Sequence, residues 1–468
     1  MARASTPAQA SVVVLNTCTV TASADQDARA AIRRVRRQNP EARIVVTGCY
    51  AQRAPEEIVA LPGVSLVIGN SHKHQLAQIT LKDFSSATKV AADFVPLARL
   101  AENGGLRTQN SIFVSDIFAH TELMAAPVFD AANDCHEGER TRPILKVQDG
   151  CDNRCSFCVI PYVRGQSRSL PIDRILLEVN GLVKSGYREV VISGINLGRW
   201  GRDLDIRPQT SDLSQISTSE VRGPKSEVAF EDLIRAILSE TALEKLRISS
   251  VEPMDWTDDL ISLVASSPRI AKHAHVPLQS GSDAVLRRMH RKYRPWNYRE
   301  KIEKIRAAMP TAAIGADVMV GFPGETDAEF ELTRQMIEDL PFTYLHVFTY
   351  SPRPGTPAAA MTNQVPVDLA RERNRILREL AAEKKLAFMR TFIGQALDAI
   401  TLNVLGTDAT GEFTEALTDN YLKLRLRKRH EPNRWLHTQI VEIMDGVLVG
   451  LEVISIPGVQ CHLVEGVT

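Results

Sequence analysis

Residues 144–169 read Ile-Leu-Lys-Val-Gln-Asp-Gly-Cys-Asp-Asn-Arg-Cys-Ser-Phe-Cys-Val-Ile-Pro-Tyr-Val-Arg-Gly-Gln-Ser-Arg-Ser. A β-rich run, 144–148, ends in Asp149-Gly150, and the following loop carries Cys151, Cys155 and Cys158. Three thiolates at intervals of four and three residues can hold three corners of a cuboidal iron–sulfur cluster. The fourth iron is then left without a protein ligand, and an open position on a metal centre is where a substrate or cofactor binds. An aromatic, Phe157, sits just before the last cysteine. The competing choice is zinc, which usually takes four ligands from pairs of close cysteines or histidines. No fourth Cys or His follows at a suitable spacing, so the spacing favours the cluster.

From this loop onward strand and helix patterns alternate. Strand-like runs fall at 144–148, 189–193, 246–249, 274–278, 313–320 and 344–349. Helix-like runs fall at 172–185, 230–239, 256–265, 282–290, 298–308 and 327–339. Six β/α units predict a parallel barrel or partial barrel, with its site at the C-terminal ends of the strands. The cysteine loop follows the first strand, so it belongs at that face. Residues 203–228 interrupt the pattern with Ser, Thr, Pro and charges and read as a surface insertion.

Upstream, a β-branched strand at 11–16 runs into Thr17-Cys18-Thr19-Val20-Thr21, and a strand at 43–47 runs into Gly48-Cys49-Tyr50. A helical stretch at 24–37 lies between them, and a helix at 55–61 and a strand at 65–68 follow. This predicts a small parallel α/β domain. Cys18 and Cys49 each stand just past a strand's C-terminal end, on the edge where ligands bind in open α/β sheets. A lone cysteine is most often a buried small hydrophobe; two placed alike tilt to metal ligation. Residues 73–142 show no clean repeat and read as an insertion or linker, with a possible strand at 111–118 and Cys135 as a free thiol.

Downstream, 367–392 is one long helical stretch. Short strands then follow at 399–404, 438–443 and 447–454. Residues 422–427, Leu-Lys-Leu-Arg-Leu-Arg, alternate with period two. Together they predict a small antiparallel β-barrel with Lys423, Arg425 and Arg427 on one face, continued by Lys428 and Arg429. A basic stripe near an aromatic, Trp435, suits a nucleic acid, although a solvated sheet face has the same composition. A second basic run, Arg287, Arg288, His290, Arg291, Lys292 and Arg294, is open to the same two readings. The domain boundaries expected are 1–72, 73–142, 143–388, 389–456 and a tail at 457–468.

Composition sets limits. Apolar content of 44% and charged content of 24% are those of an ordinary globular chain. Lys plus Arg equals Asp plus Glu, 56 against 56, so any nucleic acid must be met by a local patch. Seven cysteines with three in one loop fit a reducing compartment and metal ligation better than disulfides. No apolar run approaches the ~18–20 residues of a membrane span, nor is there a secretory signal. A cytoplasmic monomer is expected, with no membrane partner.

The three-cysteine loop with its aromatic resembles the signature of radical S-adenosylmethionine enzymes. Adding Asn16-Thr17-Cys18-Thr19-Val20-Thr21, Val46-Thr47-Gly48-Cys49-Tyr50-Ala51-Gln52, the 148–161 run, the 275–282 run His-Val-Pro-Leu-Gln-Ser-Gly-Ser and a terminal small barrel, the chain resembles the methylthiotransferases of that superfamily. The resemblance spans nearly everything except 73–142 and 203–228. It is strongest to the branch acting on N6-threonylcarbamoyladenosine, just 3′ of the tRNA anticodon. It implies an N-terminal domain, a radical S-adenosylmethionine (β/α)6 partial barrel and an RNA-binding TRAM domain. It implies –SCH3 insertion at C2 of the adenine, with one S-adenosylmethionine giving the methyl group and a second giving the radical. It implies two [4Fe–4S] clusters, one on Cys151, Cys155 and Cys158 and an auxiliary one involving Cys18 and Cys49. It implies a flavodoxin-type electron donor, and S-adenosylmethionine contacts from Phe157, Gly194, Asn196, Ser250, Glu252 and Gln279. In the family a Gly-Cys motif on an earlier strand supplies a third auxiliary cysteine. The sequence here starts about ten residues before the Val-Val-Val-Leu strand. The auxiliary cluster is therefore expected to be held weakly by Cys18 and Cys49, with Cys135 a speculative third ligand. The alternatives are a sister branch modifying a ribosomal-protein aspartate and an RNA-binding protein with a structural metal.

Overall fold

The structure is a computed structural model describing residues 4–82, 111–120, 123, 141–204, 228–408 and 411–453. Cys135 and most of the 203–228 insertion lie outside those residues.

The first unit is a four-stranded parallel sheet: β1 (Val12–Thr17), β2 (Arg43–Gly48), β3 (Val64–Gly69) and β4 (Ser111–Phe113), in that order. Ile44, Val46, Val64 and Val67 bury against Ile32 and Val35 of helix Ala22–Gln38. That helix is capped by Thr21, whose hydroxyl accepts from the Ala24 N–H at 3.1 Å. Part of the stretch read as linker therefore belongs to this sheet, since β4 pairs with β3 through Ile112 and Val67. The strand there is three residues, not eight; a 3₁₀ turn, Ile117–Ala119, capped by Asp116, ends it.

The central unit has six principal strands: β5 (Ile144–Lys146), β8 (Glu189–Ser193), β9 (Lys245–Ile248), β10 (His273–His275), β11 (Ala313–Val320) and β12 (Tyr344–Thr349). Between the first two of these, β6 (Gln148–Asp149) and β7 (Arg168–Ser169) form a small antiparallel hairpin. The six run parallel in chain order, in two three-stranded ladders joined by the Ser250–His275 bridge. Helices Ile172–Lys184, Phe230–Glu240, Asp258–Ser266, Pro295–Ala308 and Asp327–Asp339 pack on one face over a single large core.

Two expected strands are shorter than the apolar pattern suggested. The run 144–148 divides at Val147, where the chain changes partner: the Val147 N–H still donates to Ser193 O, its carbonyl accepts from Leu170 N–H, and Gln148 and Asp149 pair with β7. The run 274–278 stops at His275: Pro277 has no N–H to donate, and Gln279 adopts φ 64°.

Helix Val367–Arg390 leads to a closed five-stranded barrel of β13 (Ala396–Asp408), β14 (Gly411–Thr418), β15 (Lys423–Arg427), β16 (Trp435–Met444) and β17 (Val447–Glu452). Four pairings are antiparallel; the β15–β17 closure is parallel. The period-two reading of 422–427 holds, with Leu422, Leu424 and Leu426 inside. Among the described residues no helix is long and apolar enough to cross a membrane.

Candidate active site

The cysteine loop is fixed at several points of its own backbone. Cys151 N–H donates to Gly165 O at 3.1 Å, and Cys158 N–H to Cys155 O at 3.1 Å. Between them Ser156 is buried: its N–H and hydroxyl donate to the carbonyls of Met289 and Arg288, and its own carbonyl accepts from Ala358 N–H. Phe157 packs edge-on to Phe322, 6.4 Å between ring centres, in a cluster with Val285 and Met289. All three cysteines are free thiols, half-buried. Burial pushes Cys158 up to about 12, and the neighbouring Cys155 and Cys151 push the same way. Burial also raises Cys151, with Cys155 adding to it. Cys151 and Cys158 are thus disfavoured as thiolates unless a cation stands opposite them.

Each sulfur also faces an N–H donor. Cys151 is met by the backbone of Asn153, Cys158 by the backbone of Ile160, and Cys155 by Arg291 Nη1 at 3.3 Å. N–H groups at cluster sulfurs stabilise the bound anionic form and tune its potential. The donor set therefore fits an iron–sulfur cluster.

Gly194 and Asn196, Ser250 and Glu252, and Gln279, the residues expected around the cofactor, stand just after β8, β9 and β10. Arg291, 8% exposed, also ion-pairs with Glu252, and its guanidinium lies 5.0 Å from the Tyr293 ring centre. Asn196 donates its backbone N–H to Gln148 Oε1 at 2.8 Å, while its buried side-chain Oδ1 has no partner among the described residues. Ser249 Oγ, beside Ser250, is likewise orphaned. Gly194 is a place of close approach, since a Cβ there would sit 2.9 Å from the Gln148 side chain. Gln279 donates its N–H to Asp317 O and accepts from Met319 N–H, which sets it on the rim of β11. Arg291 and Gln148 organise the site but were not singled out in the sequence; nothing in the spacing marks Arg291 apart from its basic neighbours.

Cys18 and Cys49 are neighbours by register. Thr17 pairs with Gly48 in the β1–β2 ladder, and each cysteine is the next residue. Cys18 is exposed and Cys49 buried. Cys18 Sγ faces Val20 N–H at 3.5 Å; Cys49 Sγ faces Arg164 Nε at 3.0 Å and Asn70 Nδ2 at 3.5 Å. Arg164 ends the short helix Ile160–Arg164 just after the cysteine loop, and it also holds Asp149 at 3.3 Å. One guanidinium thus connects the N-terminal pair to the loop of three.

Several cations of the two basic runs are paired within the chain. Arg287 pairs with Asp283, Arg288 with Glu329, Arg291 with Glu252 and Arg294 with Asp283. Arg291 is buried and Arg288 and Arg294 are half-buried on these pairs, while Arg287, His290 and Lys292 are exposed. On the small barrel, Arg425 pairs with Asp445 at 3.2 Å and Arg427 with Glu442 at 2.8 Å. Lys423, Lys428 and Arg429 carry no such pair among the described residues.

Residues 145–337 match the Radical SAM superfamily, and residues 1–69 match the family described as Uncharacterized protein family UPF0004. The chain is 36% identical to Threonylcarbamoyladenosine tRNA methylthiotransferase MtaB of Bacillus subtilis (strain 168), over 89% of this chain and 82% of that protein. It is 33% identical to the tRNA-2-methylthio-N(6)-dimethylallyladenosine synthase of Novosphingobium aromaticivorans, over 84% and 78%. Among solved structures, the radical S-adenosylmethionine methyltransferase TsrM from Kitasatospora setae, with cobalamin and a [4Fe-4S] cluster bound, aligns at 14% identity over 75% of this chain and 67% of that one, with a TM-score of 0.49.

Proposed function

Because the chain belongs to the threonylcarbamoyladenosine tRNA methylthiotransferase family, we propose that it adds a methylthio group to C2 of N6-threonylcarbamoyladenosine beside the tRNA anticodon. The carrying observation is the trio Cys151, Cys155 and Cys158, each sulfur opposite an N–H donor, beside a second cysteine pair on the adjoining sheet edge.

In this reading the trio holds a [4Fe–4S] cluster that, when bound, supplies the electron for cleaving S-adenosylmethionine. Arg291 has two duties. Its Nη1–H steadies the Cys155 thiolate, and its Nη2–H fixes Glu252, so that the carboxylate and the cluster share one guanidinium. Asn196 Oδ1 and Ser249 Oγ, buried without protein partners among the described residues, are acceptors for cofactor N–H and O–H groups. Ser250, Gly194 and Gln279 line the same rim, and Phe157 walls the loop on its apolar side. Cys18 and Cys49 bind an auxiliary cluster, with Arg164 and Asn70 donating to the Cys49 sulfur. The tRNA backbone lies along Lys423, Lys428 and Arg429, the small-barrel cations left without a carboxylate partner among the described residues. A flavodoxin-type protein is the electron source.

The test is nucleoside mass analysis of tRNA from a strain lacking this modification, with and without the gene. Methylthiolated N6-threonylcarbamoyladenosine is the expected product. Its absence, with the protein expressed and its clusters present, would sink the assignment.

A further inference from the structure

The inner face of the partial barrel carries a polar cluster that plays no part in the chemistry proposed so far. Leu345 and Val347 of β12, and Ala316 and Val318 of β11, pack into the core beneath the helices. Alternation therefore turns Tyr344, His346, Asp317 and Gly315 to the opposite, lumenal face. Asp317 Oδ1 lies 3.3 Å from His275 Nε2 and 3.4 Å from His346 Nδ1. The His275 and His346 rings are 5.5 Å apart, and Tyr344 lies 5.4 Å from His346. Gly315 makes room: a Cβ there would sit 2.0 Å from Tyr344 Cζ. Below, the Tyr344 hydroxyl meets His273 Nε2 at 2.7 Å and closes the stack.

This cluster sits directly under the cofactor rim, because the Asp317 carbonyl accepts from the N–H groups of Leu278 and Gln279. Its outermost member is His346, with a side chain 56% exposed. With Nδ1 turned to Asp317, the ring's Nε2 has no partner among the described residues. A carboxylate at Nδ1 holds the proton there, so Nε2 carries an N–H and donates when the ring is the imidazolium. Asp317 also raises the His346 pKa above its usual value, so that the donor carries positive charge more readily. Arg247, the cation that acts on His273 and Tyr344, is paired with Glu189 at 2.7 Å.

We propose that His346, backed by Asp317 and His275, receives the carboxylate of the threonylcarbamoyl group on the target adenine. It thereby selects that base over unmodified adenine and over adenines with apolar N6 chains. This inference rests on the function proposed above. The chemistry is specific: the threonylcarbamoyl group ends in a carboxylate and a hydroxyl, whereas a dimethylallyl group would leave the His346 donor unmatched. A site built to hydrogen-bond one substituent rejects the analogue that lacks it.

Three anticodon stem-loop RNAs, identical except for threonylcarbamoyl, dimethylallyl or no group at N6, are titrated against the cluster-loaded protein by fluorescence anisotropy. Charge-assisted hydrogen bonds in this setting predict a preference of about tenfold to a hundredfold for the threonylcarbamoyl RNA. In His346→Phe that preference falls to about twofold or less; in His346→Gln, whose amide N–H replaces Nε2–H, most of it returns. Full preference retained by His346→Phe overturns the inference and leaves the proposed function standing. A parent protein that favours the dimethylallyl RNA overturns both. Stoichiometric zinc uptake lost in His346→Phe would make the cluster a metal site and also overturn it.

Discussion

Arg291 decides more of the site than its place in a basic run suggests. It is buried, it faces the Cys155 sulfur, and it fixes Glu252. Replacing it with Met removes a charge-assisted hydrogen bond and leaves Glu252 beside the thiolates unpaired. We expect Arg291→Met to raise the KM for S-adenosylmethionine about tenfold or more and to shift the potential of the cluster on Cys151, Cys155 and Cys158. Protein-film voltammetry with cofactor titration reads both effects; unchanged values would remove Arg291 from the site.

At His346 the expectation is a titration. Burial pushes the Asp317 carboxyl up, but hydrogen bonds and charge from His275 and His346 pull it below the usual carboxylate range. The partner effect raises His346 above 6.5. A raised folded pKa contributes stability that is fully present below the unfolded value and is lost as pH rises through the folded one. Histidine NMR should therefore give a His346 midpoint above 6.5, and Asp317→Asn should lower it. Of this residue scale the sequence exposed the cysteines, whose spacing is itself the signal. It hid Arg291, Arg164 and the His275–Asp317–His346 cluster, which assemble from separate strands and loops.

Among the elements, those with strong periodicity were readable. The strands at 189–193, 313–320 and 344–349 and the helix at 327–339 fall where their apolar patterns put them. The misses share one cause: backbone devices override side-chain pattern. A change of partner at Val147 divides the first barrel strand, Pro277 with Gln279 ends the fourth, and the three-residue β4 is too short to show alternation. The long helix Val367–Arg390 is held to the barrel by Arg373, which reaches Glu325 at 2.7 Å with both side chains almost fully enclosed. Arg373→Met strands a buried carboxylate, and a loss of about 3–5 kcal/mol is expected in urea unfolding of the helix-packed region. On the small barrel, Lys423→Glu with Lys428→Glu should weaken tRNA binding alike for all sequences. It should also flatten the dependence of log affinity on log salt by about 0.7–0.9 for each phosphate no longer neutralised. A preserved slope would move the RNA elsewhere.

Across the whole molecule, the proposed function uses two sets of cysteines held relative to one another. The sheet edge and the barrel loop are joined by Arg164, which touches both Cys49 and Asp149, and by Asp25, which pairs with Arg53 at 2.9 Å and with Arg353 of the barrel. Thr19, one residue past Cys18, joins the same network. Sequence order defined the three units but not how they meet, because those meetings pair residues more than a hundred positions apart. Exposure and ligand number both separate the two proposed metal sites: the N-terminal pair has one buried and one solvent-open cysteine, Cys49 and Cys18, whereas the trio offers three half-buried sulfurs. A chelator should therefore strip iron from the N-terminal pair first.

The proposed chemistry depends on Cys151, Cys155 and Cys158 holding a cluster that cleaves S-adenosylmethionine. Reconstituted parent protein and Cys155→Ala, each given reductant and S-adenosylmethionine, are compared for 5′-deoxyadenosine by mass spectrometry. The parent should form it and the variant should not rise above the protein-free background; equal amounts from both would contradict the site.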